Sequence, residues 1–206
     1  MCVASSLFLG TQMIIVILVN SVKLSQMELA KRFKNLTLNK GVEREAKILF
    51  SKSLSLIEHQ ERVNGITGSV LVFICFYYLV TITLFSYACL VCIMSEITSV
   101  KGSMGLANGG FFLFYLQAFY SLCCEGQKLV DSQDEVAESI ARLICAQKRT
   151  WSTNTKDFAV FVKEKYQRPK PLAPYSFFSL DRSGFLSTMA LVFTYLIVLL
   201  QFKTSS

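Results

Sequence analysis

Four long windows of this sequence contain no Asp, Glu, Lys or Arg residue. They cover residues 1–22, 63–95, 102–124 and 183–202. A helix that crosses the ~30 Å hydrocarbon core of a bilayer needs about 20 mostly apolar residues. Each window is long enough, although glycine and amide residues interrupt the third. The windows therefore predict an all-α, polytopic membrane helix bundle with four transmembrane helices.

Buried helices of a soluble protein are the alternative to membrane spans. Four such helices in 206 residues would need a charged shell, yet only 17% of the residues are charged, against about 25% in an ordinary soluble domain. For the first window a cleaved signal peptide is a second alternative. No Lys or Arg precedes its apolar run and no small-residue cleavage site is evident, which favours a span.

The basic residues indicate the orientation of the spans. Of the 21 Lys and Arg residues, nine lie in residues 23–62 and ten in residues 125–182. Short loops rich in Lys and Arg remain on the cytoplasmic side of a membrane. We therefore expect a multi-pass plasma membrane protein with both loops in the cytoplasm and both termini extracellular. The net charge of +7 is then a signal of topology, and we expect the lipid bilayer, not nucleic acid, as a partner.

Both loops show helical periodicity, so we predict helical extensions beyond the bilayer. Glu43 and Lys47 are spaced as a favourable ion pair, and the Ser-Thr-Asn-Thr run at 152–155 is a helix-capping signal. Three prolines, at 169, 171 and 174, predict a turn before the last span, for which Asp181 or Ser179 is the predicted cap. The predicted apolar stripes are Val42, Ala46, Leu49, Phe50, Leu54 and Ile57; Val136, Ile140, Ala141 and Ile144; and Phe158, Phe161, Val162 and Tyr166. They pack within one subunit, between subunits, or both.

The sequence offers little that an enzyme would use. It has one histidine, His59, and no phosphate-binding loop, nucleophile motif or zinc-ligand pair. No formal charge lies within the predicted spans, which argues against a proton relay. We expect no catalytic residue, metal site or cofactor.

The last window carries a few polar residues at helical spacing. Thr194, Val198 and Gln201 fall on one face, and Ile197 lies beside them. An amide near the end of an apolar helix is stabilised by water or by a partner. Two interpretations stay open: Gln201 reaches the membrane surface, or it lines a wet path in a symmetric assembly.

The same window resembles a family signature. Thr194-Tyr195, the apolar residues 196–200 and Gln201-Phe202 are similar to the Thr-Tyr-(apolar)5-Gln-Phe motif of arthropod gustatory receptors, relatives of the insect odorant receptors. The segment before it resembles the lead-in of that family at Arg168-Pro169, Phe177-Phe178, Leu180-Asp181 and Phe185.

The resemblance implies a subunit of a tetrameric, ligand-gated cation channel that responds to small-molecule tastants. Homo- or hetero-tetramers are both open. Residues 183–202 would line the pore, with Gln201 and Phe202 at the outer constriction, Thr194, Ile197 and Val198 below, and Tyr195 packed behind. Residues 125–182 would form the cytoplasmic anchor that joins the subunits.

Length separates this chain from the family, whose members have seven spans. The resemblance aligns the four windows with the last four spans, which predicts a fragment, a truncated gene model or a shortened member. Tyr115 and Gln117 are candidate remnants of the ligand pocket, with core packing as the alternative. A non-conducting structural or regulatory protein that associates with full-length receptors is the alternative function.

Overall fold

The computed structural model describes residues 2–38, 43–94, 99–147, 150–167 and 179–204. Within these ranges the chain forms five helices and no strand. They are α1 (Cys2–Leu38), α2 (Glu43–Met94), α3 (Ser99–Ala146), α4 (Thr153–Gln167) and α5 (Arg182–Thr204). The predicted all-α helix bundle is confirmed. The predicted turn at 169–174 and the residues 168–178 of the predicted lead-in lie outside the described residues, as does Val42.

Three helices are much longer than a bilayer is thick. With a rise of 1.5 Å per residue, α1, α2 and α3 extend about 55, 78 and 72 Å. The hydrocarbon core accounts for only ~30 Å of that length. The predicted helical extensions are therefore present, and α3 begins at Ser99, before the predicted start at residue 102.

Each long helix is apolar over one part of its length and charged over the other, and this divides the molecule into two halves. The apolar half consists of residues 10–22, 63–93 and 103–124 together with α5. The charged half consists of residues 23–38, 43–62 and 125–147 together with α4. Each half has its own apolar core, the first around Tyr78 and Phe119, the second around Phe33 and Phe50.

Three of the described helices are long and apolar enough to cross a membrane. They contain Gly10–Leu36, Glu43–Ile93 and Arg182–Phe202. The apolar part of α3, predicted as a span at 102–124, is not among them. The Asn and Gly residues that interrupt this window lower its mean hydropathy. Its assignment as a fourth span stays a prediction.

A polar layer separates the two cores. The Gln26 amide donates a hydrogen bond to Gln60 Oε1 at 2.9 Å and accepts one from the Ser132 hydroxyl. All three side chains are buried. Nearby, Lys23 pairs with Glu125 at 3.3 Å, which ties α1 to α3. Hydrogen bonds from Lys128 and Lys23 hold the pKa of Glu125 below its usual value.

Helix α4 packs on the charged half along its whole length. Its buried residues are Thr155, Ala159, Val162 and Tyr166. Val162 and Tyr166 of the predicted stripe are buried within the chain, whereas Phe161 is 47% exposed beneath the Lys165 ammonium, so its packing between subunits stays a prediction. The small residue Ala159 is fully buried in the same core as Phe50 and Trp151, whose rings are in edge contact.

The start of α4 is fixed to the start of α2. The Ser152 carbonyl accepts the Lys156 N–H, so Ser152 stands at the N-cap position of α4, within the predicted capping run 152–155. The hydroxyls of Ser152 and Thr155 donate to the Glu43 carboxylate, which also pairs with Lys47 at 3.2 Å. The predicted Glu43–Lys47 pair is confirmed, and its contact with α4 is an addition to it.

Candidate functional site on the last helix and in an aromatic cluster

The last helix begins at a cap and packs on two neighbours. The Gly184 N–H donates to the Asp181 carboxylate at 2.7 Å, so the cap is Asp181, one of the two residues that the sequence predicts. From there α5 packs against α2 and α3. In its most apolar stretch only 11% of the residues are buried, against 33% in α1 and in α2. The chain itself therefore encloses little of α5.

The side of α5 that packs is opposite to the polar side predicted from the sequence. Val192 and Leu196 are buried against the bundle. At about 100° per residue, Thr194, Val198 and Gln201 lie within about 60° of one another on the opposite side. All three are exposed. The structure thus brings these predicted residues together on one outward face.

The remaining predicted residues of α5 are exposed as well. Ile197 borders the outward face at 57% exposure, and Phe202 ends it at 70%. Tyr195 lies to one side, half-exposed. The Thr194 hydroxyl donates to the Ala190 carbonyl at 2.9 Å, within its own helix, which lets this polar side chain lie in an apolar segment.

A cluster of aromatic rings lies between α2 and α3, around the predicted residue Tyr115. Its ring stacks on Phe85 with centroids 5.8 Å apart, and Phe85 stacks on Phe111 at 5.4 Å. The hydroxyls of Tyr115 and Tyr77 are 3.3 Å apart. Gln117 is exposed and lies about 200° around α3 from Tyr115. The structure therefore does not bring the two predicted pocket residues together.

Tyr77 connects this cluster to a groove between α1 and α2. The groove has a volume of about 470 Å³, and its wall includes Thr11, Phe73 and Tyr77. Among the described residues, none that lines the groove is charged. A small molecule in it would meet almost entirely apolar surface.

The chain was compared with known families and with curated proteins. The family model of the 7tm chemosensory receptors matches residues 53–206, three quarters of the chain. The chain belongs to the 7tm chemosensory receptor family. No curated protein matches it.

Family membership confirms the resemblance that the sequence signature predicts. The matched region begins within α2 and includes α3, α4, α5 and the whole Thr-Tyr to Gln-Phe signature. Together with the apolar helices, it makes this chain a membrane protein with a chemoreceptor role. The family is one of receptors and not of enzymes. Among the described residues, no group of three His, Cys, Asp or Glu side chains is placed to hold a metal ion.

The sequence analysis did not single out Tyr78 and Gln12 of this chemoreceptor. The hydroxyl of the fully buried Tyr78 donates to the Gln12 side chain, whose amide nitrogen donates to the Ala118 carbonyl at 3.3 Å. These bonds join α1, α2 and α3 next to Tyr115. The Tyr77-Tyr78 pair within an apolar run was the available signal, because a buried tyrosine hydroxyl requires a partner.

Proposed function

We propose that this chain is a gustatory-receptor-like subunit of a ligand-gated cation channel that responds to small-molecule tastants. Four subunits, identical or related, would surround one pore. The outward face of α5 is the observation that carries the proposal. Its residues Thr194, Val198 and Gln201 face away from the chain's own helices, and a symmetric assembly would turn them towards a common axis.

The chemistry of that face suits a narrow cation path. Thr194 and Gln201 offer neutral oxygen atoms, which replace part of a cation's hydration shell. Ile197, Val198 and Phe202 would form an apolar constriction that excludes water when the helices are close together. Tyr195, on the flank, would pack behind the pore against a neighbouring subunit.

The proposed topology follows the distribution of charge. The basic segments 23–62 and 125–182 would lie in the cytoplasm, where they anchor the subunits to one another, and both termini would be extracellular in the plasma membrane. The proposed spans are residues 1–22, 63–95, 102–124 and 183–202.

The aromatic cluster is the proposed place of ligand action. A tastant in the groove beside Tyr77 would disturb the hydroxyl contact between Tyr77 and Tyr115. The Tyr115 ring would pass that change to α3, on which α5 packs. Gln117 would contact ligand only from the other side of α3. Tyr115→Phe keeps the ring and removes the hydroxyl, so we expect it to weaken the ligand response without abolishing basal current.

The pore proposal is tested by recording from cells that express the full chain. A panel of sugars and plant alkaloids should evoke a cation current, and Gln201→Lys should reduce it by about tenfold or more, because a fixed positive charge repels cations in a narrow path. Gln167→Lys is the matched control. Gln167 is exposed at the end of α4, and the same added charge there should leave the current unchanged.

Two results would contradict the proposal. If Gln201→Lys leaves the evoked current intact at equal surface expression, α5 does not line the pore. If this chain alone gives no current but alters the current of a full-length relative expressed with it, the accessory, non-conducting role is favoured.

A further inference from the structure

The segment immediately before α5 lies in direct backbone contact with α3. A Cβ atom added to Gly126 of α3 would lie 1.8 Å from the Leu180 carbonyl oxygen. Real Cβ atoms do not approach an oxygen so closely, so only the hydrogen of a glycine fits between α3 and residue 180. The Leu180 side chain is fully buried in the core of the apolar half.

A second glycine, in the first turn of α5, comes equally close to the backbone of the same segment. A Cβ atom added to Gly184 of α5 would lie 1.8 Å from the Ser179 carbonyl oxygen. The Asp181 carboxylate accepts the Gly184 N–H, and its carbonyl accepts the Phe185 N–H at 3.0 Å. The backbone of residues 179–181 therefore lies in close contact with both Gly126 and Gly184, and we name this arrangement the glycine clamp.

Aromatic contacts extend the clamp into the first turn of α5. The Phe185 ring lies 5.7 Å from the Phe119 ring and 5.2 Å from the Tyr120 ring, both on α3. At the same level Glu125 joins α3 to Lys23 of α1. Three helices thus meet where α5 begins, whereas the far end of α5, at Ile197 and Phe202, is exposed.

We propose that the glycine clamp is the pivot about which α5 moves when the channel opens. The beginning of α5 stays on α3, and the outer end, with Gln201 and Phe202, swings away from the axis. A small tilt at the clamp then becomes a larger displacement about 30 Å away at the outer end of the helix. This inference rests on the proposed channel function, and Gly126 and Gly184 act in it as positioning residues.

The motion can be measured without a current. Unnatural amino acids can carry the spin labels, so that the native cysteines stay unlabelled. A pair of labels at positions Ser121 and Ser183 reports the distance at the clamp, and a pair at Leu106 and Leu199 reports the distance at the outer end. In the purified full chain we expect a narrow distance distribution at the clamp and a broad one at the outer end. Equal widths would overturn the pivot.

Gly126→Ala is the variant that tests the clamp, because its added methyl group must push residues 179–181 away from α3. We expect the clamp distance to shift and the basal current to change by about fivefold or more, the usual size of a coupling between sites. Gly109→Ala is the matched control on the same helix. A Cβ atom there meets nothing within 4 Å, so neither quantity should change.

The outcomes separate this inference from the channel proposal. If the unaltered chain carries no current, the channel proposal fails and the pivot fails with it, while the label distances still decide whether the clamp holds α5. If the unaltered chain conducts and Gly126→Ala leaves the current unchanged, the pivot alone is overturned. Should Gly126→Ala not fold, Phe185→Leu replaces it. That variant adds no atom at the carbonyl and should broaden the clamp distance; an unchanged distribution would overturn the proposal.

Discussion

The two halves of the molecule have similar interiors and opposite exteriors. Outside the apolar half, Phe73 and Leu106 are 74% and 81% exposed, and large hydrophobic side chains cover the surface. Outside the charged half, ion pairs such as Arg142–Glu138 lie along the helices. Both cores are apolar, so the two halves differ in their exteriors, and each exterior suits different surroundings. The exterior of the apolar half suits lipid or other subunits, and that of the charged half suits water.

Helices α4 and α5 show the same contrast over neighbouring segments of the chain. Four residues of α4 are buried at helical spacing, and they attach that helix firmly to the charged half. Beyond its first turn, the buried side chains described on α5 are Val192 and Leu196. A helix that is fixed along its length serves as scaffold. A helix that beyond its first turn packs along one narrow face only is suited to move.

The largest difference between the halves should appear when a large ring is removed from each. Phe50 is fully buried, and its ring contacts Phe33, Trp151 and Phe158. We expect Phe50→Ala to lower the free energy of unfolding by about 3–5 kcal/mol, because it leaves a cavity in the charged half. Unfolding by SDS in mixed micelles measures this quantity.

Phe193→Ala is the matched change on α5, where the ring is 63% exposed. Its effect on the same free energy should stay below about 0.5 kcal/mol. Equal losses for the two variants would show that α5 is as enclosed as the charged half, and the contrast between fixed and tethered helices would not hold.

The boundary between the halves should give an intermediate effect. Gln26→Ala removes the amide that Gln60 and Ser132 both contact, and it leaves buried polar groups with fewer partners. We expect a loss of about 1–3 kcal/mol in the free energy of unfolding. Gln167→Ala, an exposed glutamine, is the control and should change it little. If both variants lower the free energy of unfolding equally, the polar layer between the two cores does not stabilise the fold.

Local sequence determined much of this fold. The absence of charge in four windows predicted where long apolar helices lie, and the spacing of Glu43 and Lys47 predicted their contact. These features depend on residues within a few positions of one another. The outward face of α5 was predicted for the same reason, since helical geometry alone places Thr194, Val198 and Gln201 on one side.

Contacts between distant segments were beyond the sequence. Gln26 meets Ser132 across 106 positions, and Ser152 meets Glu43 across 109. Helical periodicity states which residues share a face but not which face meets which partner. Periodicity therefore grouped Phe161 with Val162 and Tyr166, although Phe161 is exposed in the single chain, and it did not indicate that Tyr77 would meet Tyr115.

The smallest effect concerns Glu43, which fastens α4 within the charged half. Hydrogen bonds from Ser152, Thr155 and Lys47 lower the pKa of its carboxyl from 4.5 to about 2. A carboxyl whose pKa falls on folding stabilises the folded chain above its ordinary pKa. That contribution is lost as the pH falls from 4.5 towards 2. We therefore expect the melting temperature of the unaltered chain to fall more over this interval than that of Glu43→Gln.

The comparison between variants isolates Glu43 from the other carboxyl groups, which titrate in both proteins. Glu164→Gln, at an exposed position on α4, serves as the control, and its melting temperature should depend on pH as that of the unaltered chain does. Identical pH dependence of the unaltered chain and Glu43→Gln would mean that the contacts of the Glu43 carboxylate with Ser152 and Thr155 do not persist in solution. The start of α4 would then be held by Trp151 and the apolar contacts of Phe50 alone, and α4 would resemble α5 more than its buried face suggests.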